Sequence, residues 1–196
     1  MKKFIPLLLL SVIILFSACK KDDDKAVQTE TVELQLDKFM DGGNKTFVGN
    51  LKTNEEAAVT LGPVSNTFQV TYVNFYFGGT GNTPVSKDVT LKIYKDNGSA
   101  NPGALIFSGP YTMISSLTTL HNLDLRSENI KVSGGGSIRV AIEFEHDGFP
   151  SIAQDDGNDY DPLKNWIKDT NGAWASSDGL GLNGNYIIRA TVEEEI

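Results

Sequence analysis

The sequence is short of cysteine, histidine and positive charge, and its apolar runs are too short to cross a bilayer as a helix. One Cys and two His among 196 residues exclude an internal disulfide framework and a Cys-based zinc site. Neither His121 nor His146 has a second His at metal-ligand spacing, and no His-Glu-x-x-His occurs. Lys and Arg number 17 against 25 Asp and Glu, a formal net charge of −8. Phosphate backbones are recognised by clustered basic side chains, so this balance argues against nucleic acid as a partner. A Gly-x-Ser-x-Gly elbow is missing. Gly134-Gly135-Gly136 leads into a strand-like run, whereas a phosphate-cradling loop leads into a helix. What the chain does have is 40% hydrophobic and 9% aromatic residues, enough for a packed core. Its length suits one domain, or at most two small ones, and a chain of this size buries ~70% of its unfolded surface without disulfides.

Met1-Lys2-Lys3, an apolar run from Phe4 to Phe16 and the small residues Ser17-Ala18 have the layout of a secretory leader over residues 1–18. A spanning helix needs ~20 apolar residues, which this run does not reach. Leu15-Phe16-Ser17-Ala18-Cys19 resembles a bacterial lipobox, which implies that the Cys19 thiol takes a diacylglycerol and becomes an acylated N-terminus. The other reading is an unlipidated leader with a stray thiol. Acyl chains anchor because each buried methylene contributes ~0.8 kcal/mol. The charge run Lys20 to Lys25 reads as a hydrated tether, with linker character to about residue 30. Cys19-Lys20-Lys21-Asp22-Asp23-Asp24 also resembles the export signal of Bacteroidetes-type surface lipoproteins. That implies anchoring in outer-membrane lipid, facing the cell exterior. The expected organisation is a leader over 1–18, an acylated Cys and charged tether over 19–30, and one folded domain over 31–196.

That domain reads as strands. Val32 to Leu36 alternates with period two, Phe68 to Phe77 is rich in aromatic and β-branched residues, and Val89 to Tyr94 alternates before the turn Asp96-Asn97-Gly98. Ala104 to Phe107 follows an Asn101-Pro102-Gly103 turn. Ile130 to Val132 and Ser137 to Phe144 flank the glycine triplet and are expected to form a hairpin, and Tyr186 to Val192 gives a last strand. Leu117 to Leu125 fits neither period. Leu51 to Val59 is the only stretch where a helical turn fits. Many short strands separated by Gly, Pro and Asn turns predict an all-β, antiparallel sandwich or barrel.

From Ala57 to Val192 the chain resembles the jelly-roll β-sandwich modules found beside catalytic domains in secreted bacterial proteins. The residues that carry this are Asn101-Pro102-Gly103-Ala104-Leu105, Ile130-Lys131-Val132-Ser133-Gly134, Ile138 to Phe144, and Asn185 to Val192, in that order. The likeness implies a jelly-roll-like sandwich and transfers no catalytic residue.

Two constellations carry candidate chemistry. Gln154 to Asp161 places four carboxylates around Gly157. Asp155, Asp159 and Asp161 are candidate ligands for a structural calcium ion, with Asp156 and Asn158 assisting or turned outward. The alternative is a solvated loop whose Asp and Asn residues serve turn geometry; the jelly-roll resemblance, matching Pro150 to Ala153, favours a structural role for Asp155. The second constellation is Trp166, Trp174 and Tyr160, a candidate stacking platform for a sugar ring, with Asp161, Asn165, Asp169 and Asn171 near its hydroxyls. The alternative pairs the two tryptophans across a hairpin turning at Asn171-Gly172. Glu143 and Glu145 share a strand face and offer the carboxylate pair of a glycosidase, though an exposed strand face accounts for them equally. The sequence therefore points to a non-catalytic surface module for extracellular glycan, with an assembly subunit docking on another envelope protein as the competing class and a hydrolase as the third.

Overall fold

The computed structural model describes residues 27–40, 43–156, 159–180 and 182–196. The leader, Cys19 and the tether through residue 26 lie outside the described residues, as do Gly157 and Asn158 of the acidic loop.

Two antiparallel sheets pack face to face. The seven-stranded sheet runs β1 (Thr29–Leu34), β13 (Ile188–Glu195), β4 (Phe68–Gly78), β10 (Ser151–Gln154) and β2 (Thr46–Phe47), with β7 (Leu120–Asp124) and β8 (Ile130–Val132) also paired to β4. The six-stranded sheet runs β12 (Trp174–Ser176), β11 (Asn165–Lys168), β3 (Glu56–Val64), β9 (Gly136–Phe144), β5 (Ser86–Asp96) and β6 (Leu105–Ile114). No α-helix occurs among the described residues; two short 3-10 turns are the only helical geometry there. This is the antiparallel β-sandwich that the turn spacing and strand patterning predict.

Alternation in the sequence becomes the core directly. Ala57, Val59 and Leu61 of β3, Val89, Leu91 and Ile93 of β5, and Ile138, Val140, Ile142 and Phe144 of β9 point inward from one sheet. From the other come Phe68, Val70, Val73, Phe75 and Phe77 of β4 with Ile188, Ala190 and Val192 of β13. The β4 pattern skips a beat between Val70 and Val73 because its register with β13 shifts between Thr191 and Val192. A bulge inserts one residue and restores the inward face beyond it.

Two expectations are corrected. Ile130–Val132 and Gly136–Phe144 do not form a hairpin: β8 pairs with β4 and β9 with β3 and β5, so the glycine triplet carries the chain from one sheet to the other. Gly134, Gly135 and Gly136 all have positive φ (73°, 73° and 110°), and a Cβ on Gly135 would stand 2.5 Å from the Ser65 carbonyl oxygen. A crossing this tight needs the backbone freedom of glycine. Leu51 to Val59 holds one turn, Glu55 N–H donating to the Lys52 carbonyl at 3.0 Å, but from Glu56 it is a strand. Ala57 and Ala58 are both fully buried because this strand is covered on both faces, which hides the alternation that would have marked it. The aperiodic Leu117–Leu125 stretch contributes β7.

Candidate functional site

The outer face of the six-stranded sheet carries the densest linked set of polar and aromatic side chains. Successive residues of a strand point to opposite faces, so the partners of the inward residues above form this face: Glu56, Ala58 and Thr60 from β3; Arg139, Ala141 and Glu143 from β9; Lys92, Tyr94 and Asp96 from β5. The β11–β12 hairpin adds Trp166, Lys168 and Trp174. Ala58 lies opposite Ala141 in one register and opposite Trp166 in the other. Trp166 and Tyr94 pack against these two small residues, at 7% and 8% exposure, with Trp174 partly buried beside them.

At one end Arg139 is fully buried. Its guanidinium stands 4.1 Å from the Trp166 ring centroid and 5.0 Å from that of Trp174. It donates to the Ala100 carbonyl at 2.7 Å, to the Ser99 carbonyl at 2.9 Å and to Asp96 at 3.3 Å. Trp166 Nε1 donates to the Thr60 hydroxyl at 3.1 Å, which donates in turn to Asp96 at 2.5 Å. Both terminal nitrogens of Arg139 are thereby bonded and both indoles lie close to it, which lets a buried guanidinium be tolerated although its Nε is buried without a partner among the described residues.

At the other end sits Glu56, whose side chain has no exposure. It accepts from Lys168 at 2.8 Å, Lys92 at 2.9 Å and the Tyr94 hydroxyl at 2.9 Å; Lys92 also pairs with Glu143. Burial alone would raise the Glu56 carboxyl, but hydrogen bonds from Lys168, Lys92 and Tyr94 hold it below its ordinary value. Burial likewise pulls Lys92 down, and Glu143 and Glu56 together hold it above its ordinary value. The Tyr94 hydroxyl is pushed up by burial and by the Glu56 charge, so it stays a donor. Where this face reaches β6, Asp88, Pro110, Tyr111, Thr112 and Glu145 line an open depression of about 350 Å³.

The hairpin expected around Asn171-Gly172 is present. Lys168 lies opposite Trp174 and Trp166 opposite Ser176, so the tryptophans are diagonal neighbours on one face. Asp169 Oδ1 accepts from the backbone N–H groups of Asn171 (2.9 Å) and Ala173 (2.8 Å), and Gly172 takes φ 87°. Asp169 and Asn171 thus build the turn. Trp174 is partly exposed, while Trp166 is occupied by Arg139. Tyr160 is not gathered with the indoles: its hydroxyl meets that of Ser177 at 2.5 Å. Asp161 caps Leu163 N–H at 3.1 Å, and its carbonyl accepts from Asn165 Nδ2 at 2.8 Å.

The candidate calcium ligands are likewise engaged within the protein. Asp155 is buried, its two carboxylate oxygens accepting from Lys38 N–H at 3.0 Å and Asn185 N–H at 2.8 Å. Asp161 serves its own turn, and Asp159 sits at φ 63° with its carbonyl, not its carboxylate, toward Asn185 Nδ2. Among the described residues no three of His, Cys, Asp and Glu converge as metal ligands. Glu143 and Glu145 are each committed, one to Lys92 and the other to the Thr90 hydroxyl at 2.9 Å.

Sequence reasoning singled out Trp166 and Trp174 but missed Glu56, Lys92, Tyr94 and Arg139. The available signal was the alternation of β9, in which Arg139, Ala141 and Glu143 fall on the face opposite the apolar residues.

No protein-family model and no curated protein matches the chain. The fold is similar to the crystal structure of the cysteine protease and lectin-like domains of Cwp84, a surface layer associated protein of Clostridium difficile. The TM-score is 0.50 at 13% identity, covering 74% of this chain and 33% of that chain. This chain therefore spans about a third of that one, and the likeness is one of fold.

Proposed function

We propose that this chain is a non-catalytic binding module, anchored in outer-membrane lipid through acylated Cys19 and facing the cell exterior, that holds an extracellular glycan on the outer face of the six-stranded sheet. The observation that carries the reading is Trp174. It is partly exposed, edge-on to Tyr94 with ring centroids 5.8 Å apart, and has Lys168 Nζ 6.0 Å from its ring centroid. A sugar needs an apolar surface for its C–H face and a few fixed donors and acceptors for its hydroxyls, and both stand here on rigid strands. The fold likeness to a chain that includes a lectin-like domain points the same way.

A glycan array probed with the purified protein and with Trp174→Ala tests the reading. Binding that falls roughly tenfold in the variant, ~1.4 kcal/mol of lost contact, is the expected result. Absence of any bound glycan, or binding untouched by Trp174→Ala, overturns it. The second reading, docking on another envelope protein, rests on β6: it is an edge strand that exposes Leu105 and Ile114 at 50% and 60%.

A further inference from the structure

We infer that this face selects uncharged glycans and rejects anionic ones. The inference rests on the glycan-binding reading and adds the chemical class of the ligand.

Every cation on the face is already matched to a carboxylate. Arg139 pairs with Asp96, Lys168 with Glu56, and Lys92 with Glu56 and Glu143. Three acids and three bases therefore compensate one another within hydrogen-bonding distance. An arriving uronate or sulfate would meet no spare positive charge: each lysine it approached would present a carboxylate beside it. Glu56 cannot swing away to make room, because it is fully buried and also receives the Tyr94 hydroxyl. Drawing either lysine off it would leave a buried carboxylate with half of its compensating charge, which is unfavourable. The chain's formal net charge of −8 adds a long-range repulsion of the same sign.

A hydroxyl meets no such obstacle, since it both donates and accepts. An ammonium carries three N–H donors. Lys92 uses two of them, on Glu56 and Glu143, and Lys168 uses one, on Glu56. Glu143 receives Lys92 on one oxygen, leaving the other to accept. Lys92, Lys168 and Glu143 side chains are 15%, 23% and 20% exposed. These spare donors and one acceptor share a face with Trp174 and can be engaged without breaking an ion pair. Pairing thus fixes their geometry and sets their selectivity together.

The test compares uncharged, carboxylated and sulfated polysaccharides on one array, using the purified chain, Glu143→Gln and Glu30→Gln. Both substitutions remove one negative charge. Glu143 lies on the face, whereas Glu30 is exposed on β1 in the other sheet. The unaltered chain is expected to bind uncharged glycans well and anionic ones weakly. Glu143→Gln should shift the ratio of anionic to uncharged binding by roughly fivefold, the size of one surface charge contact, and Glu30→Gln should leave it unchanged. Binding confined to anionic glycans, a ratio unmoved by Glu143→Gln, or an equal shift in Glu30→Gln overturns the inference while leaving glycan binding standing. No binding to any class overturns the underlying reading instead.

Discussion

Each outer face of the sandwich has an arginine that ties down a loop, but only one of those loops covers the face. On the seven-stranded sheet Arg189 donates to Asp37 at 2.6 Å and to the Phe39 carbonyl at 2.7 Å. The segment it holds brings its own apolar cargo: Phe39 packs edge-on to Tyr76 at 5.3 Å and joins Ala153 and Ile187 in a small second core. Lys45 closes the assembly, 4.6 Å from the Tyr76 ring centroid. On the six-stranded sheet Arg139, besides its ion pair with Asp96, holds two loop carbonyls, those of Ser99 and Ala100. The surface beside it is paved by side chains of the strands themselves. Around Tyr76 the first face is covered by main chain and a buried ring. The second is rigid and still accessible at Trp174, Lys92, Lys168 and Glu143, which is what a binding surface requires.

The largest effect that could break this comparison is on Arg139. Arg139→Ala would leave Asp96, only 3% exposed, without its cation, two carbonyls without donors, and both indoles without their stacking partner. A loss of about 3–5 kcal/mol in urea unfolding is expected, the range for orphaning one half of a buried ion pair. A loss under about 1 kcal/mol would mean the paving is decoration. Phe39→Ala comes next, at about 3 kcal/mol for removing a buried ring from a small cluster that can partly collapse. It should leave glycan binding unaltered, because it acts on the closed face. Glycan binding lost in Phe39→Ala as fully as in Trp174→Ala would erase the distinction between the faces.

The sandwich was legible because most of its strands bury one face, and a half-buried strand writes its period into the sequence. β5 is clear in this way, and β9, though buried on both faces, keeps its period because Arg139 and Glu143 alternate with its apolar residues. β3 was not: Glu56, Ala57, Ala58 and Val59 are all buried, so no alternation survives, and Glu-Glu-Ala-Ala has the composition of a helix. In sequence the glycine triplet resembles a local turn, because a crossing between sheets and a hairpin both call for positive φ. Which of them forms depends on partners far away in sequence, Phe68 to Val70 for one flank and Glu56 to Val64 for the other. The candidate site was half legible for a related reason. Trp166 and Trp174 stand out by rarity, but Glu56, Lys92 and Arg139 come from three strands and look like ordinary surface charges until the register sets them side by side.

The smallest expected effect separates the two sheets by pH. His121 lies on β7 of the seven-stranded sheet, opposite Phe75 in register, with Nε2 buried and unpartnered among the described residues. Burial holds its pKa below the ordinary 6.5, opposed by a hydrogen bond with the Ile114 backbone. The unfolded chain then takes up this proton more readily than the folded one, so the contribution is complete above pH 6.5 and is lost as pH falls from there through the folded value. Glu56 in the six-stranded sheet is held below its ordinary 4.5, where burial is outweighed by Lys168, Lys92 and Tyr94. Its contribution is complete above pH 4.5 and is lost only as pH falls through its lower folded value. Stability followed by urea unfolding from pH 7 to pH 3 should therefore fall in two windows. His121→Phe should flatten the upper window and leave the lower, and Glu56→Gln should do the reverse. A single window abolished by either substitution alone would show that the two sheets respond to acid as one unit, and that the charge network on the open face is not the independent element its geometry describes.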